Sequence, residues 1–358
     1  MVASTNASAT HVSSSTTTTT TTSNTSNTSS TGSTFSFLKL KWRTSKDPKL
    51  NIRQRLPNSV DDIERDWVRH SALKLAFEGD FKAPIQRLLQ AGGSEVLDIG
   101  CGAGFWSSDM ASKYPISYFT GIDIDKNVLP TSSLSKNVLY QRIDLIELPL
   151  PYEDATFDYI FIRSMMDTLP DSMWDNVLKE LVRIMKKGAY IECVEAYDNL
   201  FDAGPSMNTL NQLIQSSIKH PPQSPTTPTS AYNTLTSNTS ATSQYNPWPN
   251  RIANMSQLIG MQIYHTHTPV GIYGGAVGSL LLEYWERIIK GFRRDWITNK
   301  LIAEDELEKT VESMKSEVNE YNTYMSWYSV VAQKKGYSGP TIQFDDVDDF
   351  DIVHTHIF

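Results

Sequence analysis

The hydrophobic positions of this chain change period as it runs. Short apolar runs with strand character fall near 95–99, 118–123, 137–142, 157–162 and 189–195, bounded by turn residues or a charged stop. Around them apolar residues recur at three- and four-residue spacing, which predicts helices. One covers 61–77, with Ile63, Trp67, Leu73, Ala76 and Phe77 on its periodic face, and a short second one covers 81–91. Others cover 104–114, 171–186 behind the capping signal Pro170-Asp171-Ser172, 205–218 opened by Pro205, and 252–258. A sixth strand is expected at 262–268, helices at 278–292 and 303–321 separated by Arg293-Arg294, and a last strand at 327–332. Strands alternating with helices in this way make βαβ units, and right-handed crossovers wind them into an α/β, Rossmann-like sheet.

Three stretches lack any period. Residues 1–45 form a Ser/Thr-rich arm, 221–249 repeat that chemistry with Pro and Asn added, and 336–358 are acidic at Asp345, Asp346, Asp348, Asp349 and Asp351. Such composition cannot bury enough apolar area to order itself. The expectation is a disordered arm, an inserted low-complexity loop and a mobile acidic tail about one domain at 56–335. Within the arm, 35–43 alternates apolar and basic residues. It reads as a partly ordered lead-in, or as an edge strand or a contact to an anionic surface.

Charge and cysteines narrow the class. A net charge of -8 argues against nucleic acid as the main substrate. Two cysteines suit a reducing compartment, and Cys101 and Cys193 read first as small buried residues. No apolar leader or bilayer-length segment is visible, so no membrane span and a cytoplasmic and/or nuclear location are expected.

The candidate chemistry begins at Val96-Leu97-Asp98-Ile99-Gly100-Cys101-Gly102-Ala103-Gly104, a strand, an acid and three alternating glycines before a helix. That arrangement opens half of a nucleotide-binding βαβ unit. Its register is not that of dinucleotide sites, because Phe105 stands where their third glycine belongs and Asp98 would repel a pyrophosphate. This disfavours a nicotinamide dehydrogenase. Asp98 instead suits an ammonium group, and the ligand joining a nucleoside to an amino acid is S-adenosylmethionine. Asp123 closes the second strand and can accept from both ribose hydroxyls. Asp144 follows the third strand, placed to receive an adenine amino group, with Leu145 and Ile146 as apolar cover.

On these residues the chain resembles the class I S-adenosylmethionine-dependent methyltransferases. Their motifs match VLDIGCGAG, FTGID, RIDLIELPLP and TFDYIFIR in order, and the resemblance extends over 56–335. A narrower resemblance is to a fungal branch related to LaeA-like regulators of secondary metabolism. It is carried by the segment from Leu56 to Asp80, by GAYIECVE with the following Gly204-Pro205, and by PVGIYGG at 269–275. Lys186-Lys187-Gly188 departs from that family's usual Pro-Gly-Gly turn. The resemblance implies a doubly wound seven-stranded sheet, six strands parallel and one antiparallel, with residues 271–322 as a helical cap or lid. It implies S-adenosyl-L-methionine as cofactor, with contacts at Asp98, Gly100, Cys101, Gly102, Gly104, Asp123, Ile124, Asp144 and Leu145. The implied activity is methyl transfer to a small-molecule or protein acceptor. The alternative is a cofactor-binding regulatory or scaffold protein acting through a protein partner.

Methyl transfer from a sulfonium is an in-line displacement, so the protein's task is alignment and exclusion of water. His70 is the leading candidate to enter the pocket from the N-terminal helix, with a surface or cap-forming histidine as the alternative. Arg163 ends the fourth strand, where it holds the cofactor carboxylate or an acidic substrate, or forms a surface ion pair. Glu195 ends the fifth strand and either faces the acceptor or caps the next helix. Trp106 follows the glycine turn and either faces the sulfonium or packs in the core. His265 and His267 alternate on a strand without further ligands, so no metal is assigned.

Overall fold

The strand pattern is realised as one sheet. In the computed structural model, residues 60–132, 135–166, 168–219, 247–336 and 353–355 are described. The chain divides into compact units Met1–Lys46 and Asp47–Phe358, and all described residues lie in the second. The Ser/Thr-rich arm, the 35–43 segment, nearly all of the 221–249 insert and most of the acidic tail fall outside the described residues.

Strands β1 (Glu95–Ile99), β2 (Tyr118–Asp123), β3 (Val138–Arg142), β4 (Phe157–Arg163), β5 (Met185–Phe201), β6 (Leu258–Pro269), β7 (Tyr324–Lys334) and β8 (Val353–Thr355) lie in the order β3-β2-β1-β4-β5-β7-β6-β8. β7 is antiparallel to both β5 and β6, and every other pairing is parallel. The seven-stranded expectation therefore needs one correction: Val353–Thr355, within the stretch read as a mobile tail, adds an eighth strand along β6.

Alternation along the strands sorts two cores. Val96, Tyr159, Phe161, Val194, Trp327 and Val331 face one layer, covered by helices α1 (Val60–Ala76), α3 (Phe105–Lys113), α5 (Pro205–Lys219), α7 (Gly275–Thr298) and α8 (Glu304–Glu320). Leu97, Ile160, Ile162, Ile191, Cys193 and Val330 face the other, covered by α4 (Trp174–Ile184) and α6 (Trp248–Ala253). Near-continuous apolar runs in β1 and β4 are what a sheet buried on both faces requires.

Several boundaries differ from the periodicity for local reasons. The helix expected at 81–91 shrinks to α2 (Gln86–Ala91), because the Lys82 and Ala83 N–H groups turn aside to donate to the Glu192 carboxyl at 2.9 Å each. α4 stops at Ile184, since Met185 is extended and pairs with Phe157. α6 starts before its expected place because Trp248 is anchored edge-on against Trp174, with ring centroids 4.7 Å apart. Arg293-Arg294 does not break α7: Arg293 reaches Glu304 and Glu308 of α8, both at 2.8 Å, so its charge is compensated within the layer. Within 271–322, α7 packs on α1 and β6, and α8 packs on α5.

Candidate active site

The C-terminal ends of β1, β2 and β4 open on a cleft of ≈ 200 Å³. It lies where the strand order reverses between β1 and β4, the position at which doubly wound sheets bind ligands. Of the residues singled out in the sequence, Asp98, Gly100, Cys101, Gly102, Asp123, Ile124, Leu145 and Arg163 all line it.

The glycines of the turn have different tasks. Gly102 has φ +52° and its N–H donates to Asp123 Oδ2 at 3.0 Å. A Cβ there would meet nothing nearer than Asp66 Oδ2 at 3.7 Å, so the space above it is open to a ligand. Gly104, at φ +71°, lines packing and not the cleft: a Cβ would lie 2.5 Å from Tyr140 Cε1. The Tyr140 hydroxyl in turn donates to the Gly104 carbonyl at 3.1 Å. One glycine makes room for a ligand, the other for a tyrosine.

The acids are held by donors from the protein itself. Asp123 accepts from the Gly102 and Asp125 N–H groups, the latter at 2.9 Å; burial raises its carboxyl against these bonds. Asp98 is 4% exposed and accepts from the Ser107 hydroxyl of α3. Burial pushes Asp98 up to about 7, opposed by Ser107 and by Arg163. Burial also pushes the Cys101 thiol up, so it is no nucleophile at neutral pH.

Two cations face these acids. Arg163 has its guanidinium carbon 5.7 Å from the centre of the Phe161 ring and an Nη1 3.2 Å from His70 Nδ1. Burial, followed by Arg69, lowers it to about 10, which leaves it charged at neutral pH. Arg69 of α1 also lines the cleft, 3.4 Å from Asp66, with Tyr284 of α7 against it. Asp66 and Arg69 escaped the sequence reading, which took only His70 from this helix. The signal was present, since positions 66, 69 and 70 share one helical face.

Besides Gly104, four expected site residues do not line the cleft. Trp106 is corrected to a core residue: it stacks on Phe161 at 4.0 Å and its indole N–H donates to the Asp80 carbonyl at 2.7 Å. His70 lines a separate cavity of ≈ 20 Å³ and is 4% exposed. Asp144 closes its own turn by accepting from the Ile146 N–H at 3.1 Å, while its neighbours Ile143 and Leu145 line the cleft. Glu195 accepts from the Met166 N–H at 3.0 Å, tying the β4–α4 connection to β5. His265 and His267 are hydrogen-bonded to Tyr197 and Ser326, at 3.2 and 2.7 Å. Among the described residues, no group of three or more His, Cys, Asp or Glu could hold a metal ion.

The chain is thus a doubly wound α/β protein whose cleft at the strand-order reversal is lined by carboxylates and guanidinium groups. Comparison with known proteins is consistent in kind: residues 96–188 match the methyltransferase domain family. Over 165 residues the chain is 33% identical to the methyltransferase str2 of Strobilurus tenacellus, covering 44% of this chain and 56% of that protein. Over 107 residues it is 35% identical to a demethylmenaquinone methyltransferase of Bacillus licheniformis, covering 29% of this chain and 45% of that one. The chain spans about half the length of these curated relatives. Among solved structures, a SAM-dependent methyltransferase from Archaeoglobus fulgidus aligns with a TM-score of 0.41 at 15% identity, over 77% of this chain and 100% of the other.

Proposed function

We propose that the chain is an S-adenosylmethionine-dependent methyltransferase with its cofactor in this cleft. The observation that carries the reading is the convergence of two carboxylates and a guanidinium on the open space above Gly102, inside the segment that matches the methyltransferase domain family. The donor set fits the group. Asp98 receives the ammonium, Arg163 the carboxylate and Asp123 the ribose hydroxyls. Ile122, Val128, Ile143 and Leu145 give the adenine ring an apolar slot.

The bound cofactor supplies the electrophilic methyl group. The protein's residues fix its orientation and keep water out, which is where an in-line displacement gains its rate. Among the described residues no histidine or lysine lines the cleft. The acceptor is a small molecule or a protein side chain. Among the described residues no helix is long and apolar enough to cross a membrane. The resemblance to a fungal branch related to LaeA-like regulators is carried by the sequence blocks at 56–80, 188–195 with 204–205, and 269–275.

Calorimetry tests the cofactor assignment. S-adenosylmethionine is expected to bind in the micromolar range, and Asp123→Ala to weaken it by at least about tenfold, the loss of a buried charged hydrogen-bond acceptor. Absence of binding heat, and of thermal stabilisation by donor or demethylated product, would sink the reading. Labelled-methyl transfer into a cell extract, compared with Gly102→Arg and fractionated by size, then separates protein from small-molecule acceptors.

A further inference from the structure

We infer that His70 is a positioning residue: a neutral imidazole, protonated at Nε2, that aims the Arg163 guanidinium at the cofactor's carboxylate. The inference rests on the reading of the cleft as a cofactor site and assigns a task to a buried histidine outside it.

Partner chemistry fixes the tautomer. A guanidinium carries donors only, so His70 Nδ1, 3.2 Å from Arg163 Nη1, must present its lone pair. The ring proton is then on Nε2, which lies 3.1 Å from Asp109 Oδ2, an acceptor. Asp109 is itself held by Lys74 Nζ at 2.6 Å. The imidazole also stacks on Phe105, the first residue of α3, with planes 19° apart and centroids at 6.4 Å. Lys74, Asp109, His70 and Arg163 thus form one chain of donors and acceptors from the protein surface to the cleft.

Protonating His70 would set donor against donor and cation against cation at Arg163. Burial, followed by the Arg163 charge, accordingly lowers His70 to about 4, with Asp109 opposing and Lys74 assisting. The neutrality has a use. A carboxylate in the place of His70 would also orient the guanidinium, but it would cancel the charge that an anionic ligand needs. Imidazole orients without neutralising. Asp98, Asp66 and Asp80 act on the Arg163 charge through space, and His70 gives it an acceptor without adding a further negative charge.

Two ligands separate this role from a merely structural one: S-adenosylhomocysteine, which carries the amino-acid carboxylate, and 5′-methylthioadenosine, which lacks it. His70→Ala is expected to weaken the first by about tenfold, and the second by less than about twofold, as loss of one oriented charged hydrogen bond requires. His70→Asn, whose Oδ1 can replace Nδ1 as acceptor, should recover most of the loss. Equal weakening for both ligands, or none for either, overturns the inference. If the wild-type protein binds neither ligand, the cofactor reading itself fails. The tautomer is read independently from the nitrogen-15 shifts of the His70 ring in the ligand-free protein. They should show Nδ1 bare and Nε2 protonated at neutral pH; the reverse tautomer overturns the inference whatever the ligands do.

Discussion

Replacing Asp98 with Asn should make the ligand-free protein more resistant to alkaline pH while impairing its site. Burial lifts the Asp98 carboxyl from 3.8 to about 7. The folded state therefore holds a proton that the unfolded chain has lost between those values. The stability this group contributes is complete below the unfolded value and is lost as pH rises through about 7, at about 1.4 kcal/mol per pH unit. Between about pH 5 and pH 8 roughly two of those units are crossed, so wild type should lose about 2–3 kcal/mol that Asp98→Asn keeps. Asn retains an acceptor for the Ser107 hydroxyl and never ionises. The same change removes a charge-assisted bond to the cofactor ammonium of about 1.5–3 kcal/mol, or roughly 10- to 100-fold in affinity. Urea unfolding at the two pH values reads the first effect, and calorimetry with S-adenosylhomocysteine reads the second. Parallel stability curves for the two proteins would refute the buried-charge argument, and unchanged affinity would refute the contact.

Two further substitutions test the division of labour around the turn. Gly102→Ala should cost only about 1 kcal/mol of stability, from its left-handed backbone, yet obstruct the ligand. Gly104→Ala should cost about 2–3 kcal/mol because its Cβ has no room beside Tyr140; denaturant curves and binding isotherms of the pair should rank in opposite orders. Trp106→Phe should lose about 1–3 kcal/mol, with its bond to the Asp80 carbonyl and part of its stack on Phe161, and leave S-adenosylhomocysteine affinity within about twofold. A large affinity change in that variant would return Trp106 to the ligand site.

Much of the cleft was legible because it is built from consecutive residues. Asp98 and Asp123 are each named by an apolar run that ends on an acid, and both stand at the cleft. The glycine spacing located the turn but not the separate duties of Gly102 and Gly104, since Tyr140 meets the turn from another strand. Trp106 went to the core because α3 presents it to Phe161 of β4. Asp144 and Glu195 were spent on nearby N–H groups, a choice made by loop geometry. The bounds of β5 and α7 outran their apolar runs for a similar reason. β7 pairs with β5 as far as Phe201, and α8 supplies the acids that let Arg293 stay helical.

Glu192 has a consequence for the order in which the chain can assemble. Its carboxyl is 1% exposed and accepts from Lys82 N–H, Ala83 N–H, Tyr159 OH and Ser329 OH. These donors come from segments up to 137 residues away in sequence, reaching into β7 near the far end of the described chain. A buried carboxyl lacking its donors is costly by several kcal/mol. The fourth of these donors, the Ser329 hydroxyl, is in place only when β7 pairs with β5, a contact of long sequence separation that forms slowly. One buried carboxyl thus joins the segment before α2, two parallel strands and the antiparallel strand β7 across the sheet.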